Sequence, residues 1–105
     1  MATVYVDEIS YTALAKRTIG PAYQGAQAPQ YPPVVSQSVA ITGSPTLGTA
    51  FQATTTFIRV HTDAICSIAI GPSPTAVTTA TRLAANQTEY FGVTPGHNIS
   101  VIANV

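Results

Sequence analysis

The chain has 105 residues and only 8% of them are charged: four bases (Lys16, Arg17, Arg59, Arg82) balance four acids (Asp7, Glu8, Asp63, Glu89) for a net charge of zero. That length allows one domain with a single core and no need of a metal or disulfide. Ordinary soluble domains carry roughly 25% charged residues; four scattered bases cannot displace the counterions of a nucleic acid, and so little charge leaves nothing to keep copies of the chain apart.

Residues 1–19 form the first unit. Thr3 to Ile9 reads as a strand, expected to join the edge of a sheet, and Tyr11 to Arg17 as one helical turn or an irregular segment, too short to stand alone as a helix. Residues 20–33 hold four prolines, two glycines and no charge, a composition that disfavours helix and central strand. They are expected to form a polyproline-like extended segment, either a surface linker or an arm lying on a neighbouring subunit. In the second case Tyr23 and Tyr31 anchor it, because tyrosine brings area at low entropy cost, and Pro29, Pro32 and Pro33 stiffen the contact.

Residues 34–105 read as the main β domain. Val35, Val39 and Ile41 alternate with Ser36, Ser38 and Thr42, and Ile58 and Val60 alternate with Phe57, Arg59 and His61, the period-two pattern of strands with one buried face. Thr62-Asp63-Ala64 reads as a hairpin turn leading into the apolar run Ile65 to Ile70. After Gly71-Pro72-Ser73-Pro74 comes a threonine-rich edge strand, Thr78 to Leu83, then a bend at Ala84 to Gln87. Phe91 and Val93 alternate with Tyr90 and Gly92, Thr94-Pro95-Gly96 turns the chain with Pro and Gly in type II order, and His97 to Ala103 closes it. Short strands with turns at such spacing predict an all-β fold, a single small β-sandwich or jelly-roll-like barrel. Ile58, Val60, Ile68, Ile70, Phe91, Val93, Ile99 and Val101 are the expected core.

Residues that carry chemistry are few. His61, Asp63, His97, Cys66 and Glu89 lack the spacing of a metal site. Cys66, the only cysteine, lies in the most apolar run and reads as a buried small hydrophobe; a Cys66–His61 pair on adjacent strands lacks the electropositive surroundings of a reactive thiol. Asp7 and Glu8 are neighbours on a strand and face opposite sides, so they are no acid–base pair. No phosphate loop or hydrolase motif is present. The expectation is a chain without catalytic, metal or cofactor site, and not an enzyme. Tyr90 beside Phe91 puts one ring on each side of its strand, which leaves a carbohydrate-binding module as an alternative. No stretch is long enough to span a bilayer, and the opening Met1 to Glu8 lacks the basic-then-apolar pattern of a signal peptide, so no membrane partner is expected.

The C-terminal two-thirds resembles a group of small all-β virion structural proteins of tailed bacteriophages. The segments that carry the resemblance are Phe51-Gln52-Ala53-Thr54-Thr55-Thr56-Phe57-Ile58-Arg59-Val60-His61-Thr62-Asp63-Ala64, Ile70-Gly71-Pro72-Ser73-Pro74-Thr75-Ala76, Arg82-Leu83-Ala84-Ala85-Asn86-Gln87-Thr88-Glu89-Tyr90-Phe91-Gly92-Val93 and Pro95-Gly96-His97-Asn98-Ile99-Ser100-Val101-Ile102, with Met1-Ala2-Thr3-Val4-Tyr5-Val6 in keeping. The resemblance implies a structural role on the particle: first, a capsid decoration (cement) protein on the outside of an icosahedral head, made in the host cytoplasm, with the major capsid protein and copies of itself as partners; second, a neck, tail or fibre component. Residues 20–33 lie outside the resemblance.

Overall fold

Among the described residues all regular structure is β. The computed structural model describes residues 2–19 and 22–104, and over 13–19 and 22–27 it describes the backbone. The strands in chain order are β1 (Thr3–Ile9), β2 (Thr12–Ile19), β3 (Ala22–Pro29), β4 (Val35–Ala40), β5 (Thr46–Leu47), β6 (Phe57–Thr62), β7 (Cys66–Gly71), β8 (Thr81–Leu83), β9 (Thr88–Gly92) and β10 (Asn98–Ala103). They make two four-stranded antiparallel sheets, ordered β4-β1-β6-β9 and β5-β10-β7-β8, while β2 pairs with β3 alone. No helix among the described residues is long and apolar enough to cross a membrane.

Alternation builds the core. Val4, Val6, Val39, Ile58 and Val60 from the first sheet meet Cys66, Ile68, Leu83, Ile99 and Val101 from the second in one buried cluster, with Ile41 and Phe51 closing it. Of the expected core, Ile58, Val60, Ile68, Ile99 and Val101 are buried, whereas Ile70, Phe91 and Val93 are partly buried against the cluster. These three line an open cleft of about 340 Å³ between β9 and the β7–β8 side, together with His97. The outer face of the second sheet is roofed by the segment after β7. Ala76 is buried there and donates its N–H to Ser100 Oγ at 2.9 Å, and Asn104 Nδ2 bridges Ser67 Oγ and the Thr78 carbonyl at 2.7 and 3.0 Å.

Inward parity on β1 continues past Val4 and Val6 to Glu8, which is 1% exposed. Its carboxylate meets three neutral donors. Oε1 accepts from the Gln52 N–H (2.8 Å) and the Thr55 hydroxyl (2.7 Å), and Oε2 accepts from Gln37 Nε2 (3.1 Å). Gln37 also clasps Thr49, accepting its N–H on Oε1 at 2.8 Å and donating to its carbonyl at 3.1 Å. Gly48 leaves room for this clasp: a Cβ there would lie 2.7 Å from Gln37 Oε1 and 3.1 Å from methyl groups of Ile99 and Val39.

The turns at Thr94–Gly96 and Ala84–Gln87 are as read. Gly96 has φ +87° and His97 N–H bonds the Thr94 carbonyl at 3.1 Å, a type II turn; Asn86 takes the left-handed conformation, φ 62°, in the bend before β9. Four expectations are corrected. The strand β1 is interior, between β4 and β6, so the body is not confined to residues 34–105. Residues 12–19 are a strand, not a helical turn, because a ladder partner overrides the weak propensity of Ala, Lys and Arg. That partner is β3: the prolines of 20–33 crowd its ends, so the proline-free run Ala22 to Ala28 extends as a strand, and Pro29 is its last residue. Finally, β6 and β7 belong to different sheets. Thr62–Ala64 is therefore a crossing between sheets, tied by Thr3 N–H to Asp63 Oδ1 at 2.7 Å, and Cys66 and His61 are not on adjacent strands.

Two substitutions test the buried network in urea melts. Glu8→Gln places an NH₂ against a donor in either amide orientation and should cost about 1–3 kcal/mol. Gly48→Ala should cost a similar amount, about 1–3 kcal/mol, by forcing the Gln37 clasp and the Val39–Ile99 contact apart.

Candidate interaction surface

The outer face of the first sheet is open. The register sets Ser38, Tyr5, His61 and Thr88 in one row, and Ser36, Asp7, Arg59 and Tyr90 in the next. Asp7 Oδ1 accepts from Ser36 Oγ at 2.6 Å, and Oδ2 lies 3.8 Å from Arg59 Nη1, a loose pair that leaves most guanidinium donors unspent. His61 Nδ1 and Thr88 Oγ1 are 2.7 Å apart. The Phe57 and Tyr90 rings lie 6.5 Å apart at 47°. Tyr5 and Tyr90 are half exposed.

At one end of this face stands the base of the β2–β3 pair. Ser10 donates its N–H and hydroxyl to Gln30 Oε1 at 2.7 and 2.8 Å, and Thr56 Oγ1 donates to the Ser10 carbonyl at 2.9 Å. Between base and sheet lies a groove of about 330 Å³. Ile9, Pro29, Gln30, Tyr31 and Pro33 line it on one side, and Asp7, Arg59 and Tyr90 on the other. Ile9 has the parity of Tyr5 and Asp7 but is 2% exposed.

The five residues expected to make contacts divide as follows. Tyr31 is 91% exposed, follows β3 and precedes a cis peptide bond to Pro32; Pro29 and Pro33 join it in the groove, and Pro32 is exposed beside it. The Tyr23 backbone pairs with Thr18 near the far end of β2–β3, and its side chain lies outside the described residues. Tyr31 and Tyr23 are thus at opposite ends of the pair. Asp7, Ile9, Gln30 and Arg59 complete the groove without having been expected as contact residues, and Tyr90, the ring behind the carbohydrate alternative, joins them. Period two places Asp7 and Arg59 outward, but their meeting depends on the β1–β6 register, which no local pattern fixes.

Among the described residues no three of His, Cys, Asp and Glu converge on a point where a metal could sit. Cys66 is fully buried, its Sγ 3.6 Å from Thr62 Oγ1. Burial pushes the thiol above its ordinary pKa, the Thr62 hydrogen bond opposes this, and the nearby Asp63 charge adds to it. The chain matches no protein-family model, no curated protein and no solved structure.

Tyr31 and Tyr90 make few contacts that the fold needs. Tyr31→Ala and Tyr90→Ala should each leave stability within about 0.5 kcal/mol of the parent in urea melts; a larger loss from Tyr31→Ala would make it a structural residue of the hairpin base instead of a contact residue.

Proposed function

We propose that this chain is a structural protein of a tailed-phage particle, a decoration (cement) protein that lies on the outer surface of an icosahedral head and binds the major capsid protein and copies of itself. In this reading the two sheets form a jelly-roll-like β-sandwich. The strand orders support it: of the eight body strands, β5-β10-β7-β8 and β4-β1-β6-β9 follow the two sheets of a jelly roll, with β1 in the place the last strand ordinarily takes. The fold alone assigns no function.

The observation that carries the proposal is the β2–β3 pair, read as an arm. It forms a strand ladder with neither sheet. The molecule measures 55 × 28 × 22 Å with a radius of gyration of 15.6 Å, against about 13 Å for a compact chain of this length. Strands of eight residues extend about 27 Å, which accounts for the long axis. An isolated two-stranded ribbon is marginal in water and gains stability by lying on a neighbour. Tyr31 marks its base, and no charged residue occurs between Arg17 and Arg59, so docking the second strand desolvates no ion. Contacts of this size are weak singly and become firm when symmetry repeats them.

Shells of the phage that encodes the chain, stripped of decoration and mixed with purified protein, should take it up in hundreds of copies. Residues 12–29 should resist protease only when bound, and Tyr31→Ala should weaken uptake about tenfold. Uptake of a few dozen copies or fewer moves the protein to the neck, tail or fibre; no uptake, with equal cleavage in both states, overturns the proposal. The groove favours a second reading, a carbohydrate-binding module, because Tyr31 and Tyr90 offer ring faces next to the planar Arg59, Asp7 and Gln30 groups. Binding to a glycan array that is lost in Tyr90→Ala would support it.

A further inference from the structure

We infer that β4 is a self-pairing edge, through which two copies join their first sheets into one continuous sheet about a two-fold axis at Ser38. This deepens the self-association in the proposed function and names the surface that carries it.

Backbone parity is the starting point. Ile41 N–H bonds the Ala2 carbonyl at 3.0 Å, and hydrogen-bonded pairs alternate along an antiparallel ladder. The β1–β4 register therefore directs the N–H and C=O groups of Val39 and Gln37 towards Val4 and Val6. Those of Ser36, Ser38 and Ala40 point away from β1. On β1 itself the Glu8 carbonyl faces the β4 side and the Ile9 carbonyl faces the β6 side, where it accepts the Thr56 N–H, as this parity requires; the Glu8 carbonyl accepts the N–H of Val34, so the alternation is broken just before β4 begins at Val35. The outward groups have no partner among the described residues.

The four sheet edges differ in how they are protected. β5 has two residues and β8 three, too short to template a strand. β9 carries a charge, Glu89, as its second residue. β4 is six residues, Val-Ser-Gln-Ser-Val-Ala, with no charge, proline or glycine, although natural edges ordinarily carry one of these or a bulge. The side chains that flank the free groups, Ser36, Ser38 and Ala40, are small. A shallow hollow of about 220 Å³, lined by Tyr5, Asp7, Ser36, Gln37 and Ser38, borders the edge.

The edge is complementary to itself. Turned about a two-fold axis through Ser38, it sets Ser36 against Ala40 of the second copy and Ser38 against Ser38, every one of these a hydrogen-bonded pairing. The same register sets Val35, 37% exposed, opposite Ile41 of the second copy. No like charges meet. An isologous contact of this kind closes at a dimer, and strand addition at an open edge is a common mode of association.

The test uses the purified chain alone, so failure to dimerise and failure to bind shells are seen separately. Sedimentation equilibrium should give the mass of two chains. Hydrogen exchange followed by NMR should find the amides of Ser36, Ser38 and Ala40 protected. Ser38→Lys, which sets two ammonium groups face to face, should raise the dimer dissociation constant at least about tenfold and release those three amides while Gln37 and Val39 stay protected. Thr88→Lys on the β9 edge should change neither, and the Gln37 and Val39 amides report that each variant is folded. A monomer at every concentration, a dimer indifferent to Ser38→Lys, or a dimer whose three edge amides exchange freely overturns the inference. Protection that appears only when capsid shells are added assigns the edge to the capsid protein and overturns it as well.

Discussion

The Glu8 carboxylate is the constraint on which the arrangement of strands depends. It is buried without a cation, a condition that costs several kcal/mol unless donors surround the oxygens. Three donors do so, from β4 (Gln37) and from the Gln52 and Thr55 positions of the chain between β5 and β6. Hydrogen bonds to a carboxylate are the strong ones, and these tie two separate segments, β4 and the chain between β5 and β6, to one atom group on β1. Slipping β1 by a single residue would exchange Glu8 for Asp7 or Ile9 on the inner face and turn Val4 and Val6 to solvent. The register of the first sheet is therefore held by polar matching as well as by hydrophobic alternation. The same network dictates the glycine at 48, since the chain passing from the second sheet to the first must approach the Gln37 amide more closely than a Cβ allows.

That anchoring reaches the hairpin. The Glu8 main-chain carbonyl accepts the Val34 N–H at 2.7 Å, and Thr56 N–H and Oγ1 bond the Ile9 and Ser10 carbonyls next in line. Both strands that feed the β2–β3 pair thus leave from the best-fixed corner of the body. A contact made by the hairpin is transmitted to β1 and β4 through short, satisfied hydrogen bonds rather than through a slack linker. Tyr31 stands where those strands depart, beside Pro33 and above Ile9.

The body strands β6, β7, β8, β9 and β10 and the turns at Asn86 and Gly96 were legible in the sequence, because period-two alternation and turn chemistry are local signals. The place of β1 was not: its own residues alternate clearly, but whether a strand lies inside a sheet depends on partners dozens of residues away. Glu8 escaped notice because a carboxylate at an inward position reads as a surface residue until its three donors are placed around it. The β2–β3 pair was missed for two physical reasons. Ala, Lys and Arg in β2 carry no β preference, and prolines in residues 20–33 argue against a strand only where they fall, which is at its margins. Of the contact surface, Tyr31 and its prolines could be singled out by composition. Asp7, Arg59 and Tyr90 joined them through a pairing register that only the folded sheet supplies.

The two sheets have unequal outer faces, and this inequality bears on where the proposed contacts fall. The outer face of the second sheet is closed by its own chain: Ser67 and Ser100 are buried beneath Ala76 and Thr78, with their hydroxyls spent on that roof. The first sheet has no roof. Its outer face keeps Tyr5, Tyr90 and the loosely paired Arg59, its corner emits the β2–β3 pair, and its β4 edge carries the free backbone groups. The Tyr5 and Tyr90 rings and the loosely paired Arg59 thus stand on an open outer face, whereas Ser67 and Ser100 on the other outer face are covered by the chain's own segment. The proposed contacts with a shell and with a second copy both fall on the β4-β1-β6-β9 side, where groove, hairpin base and open edge lie together.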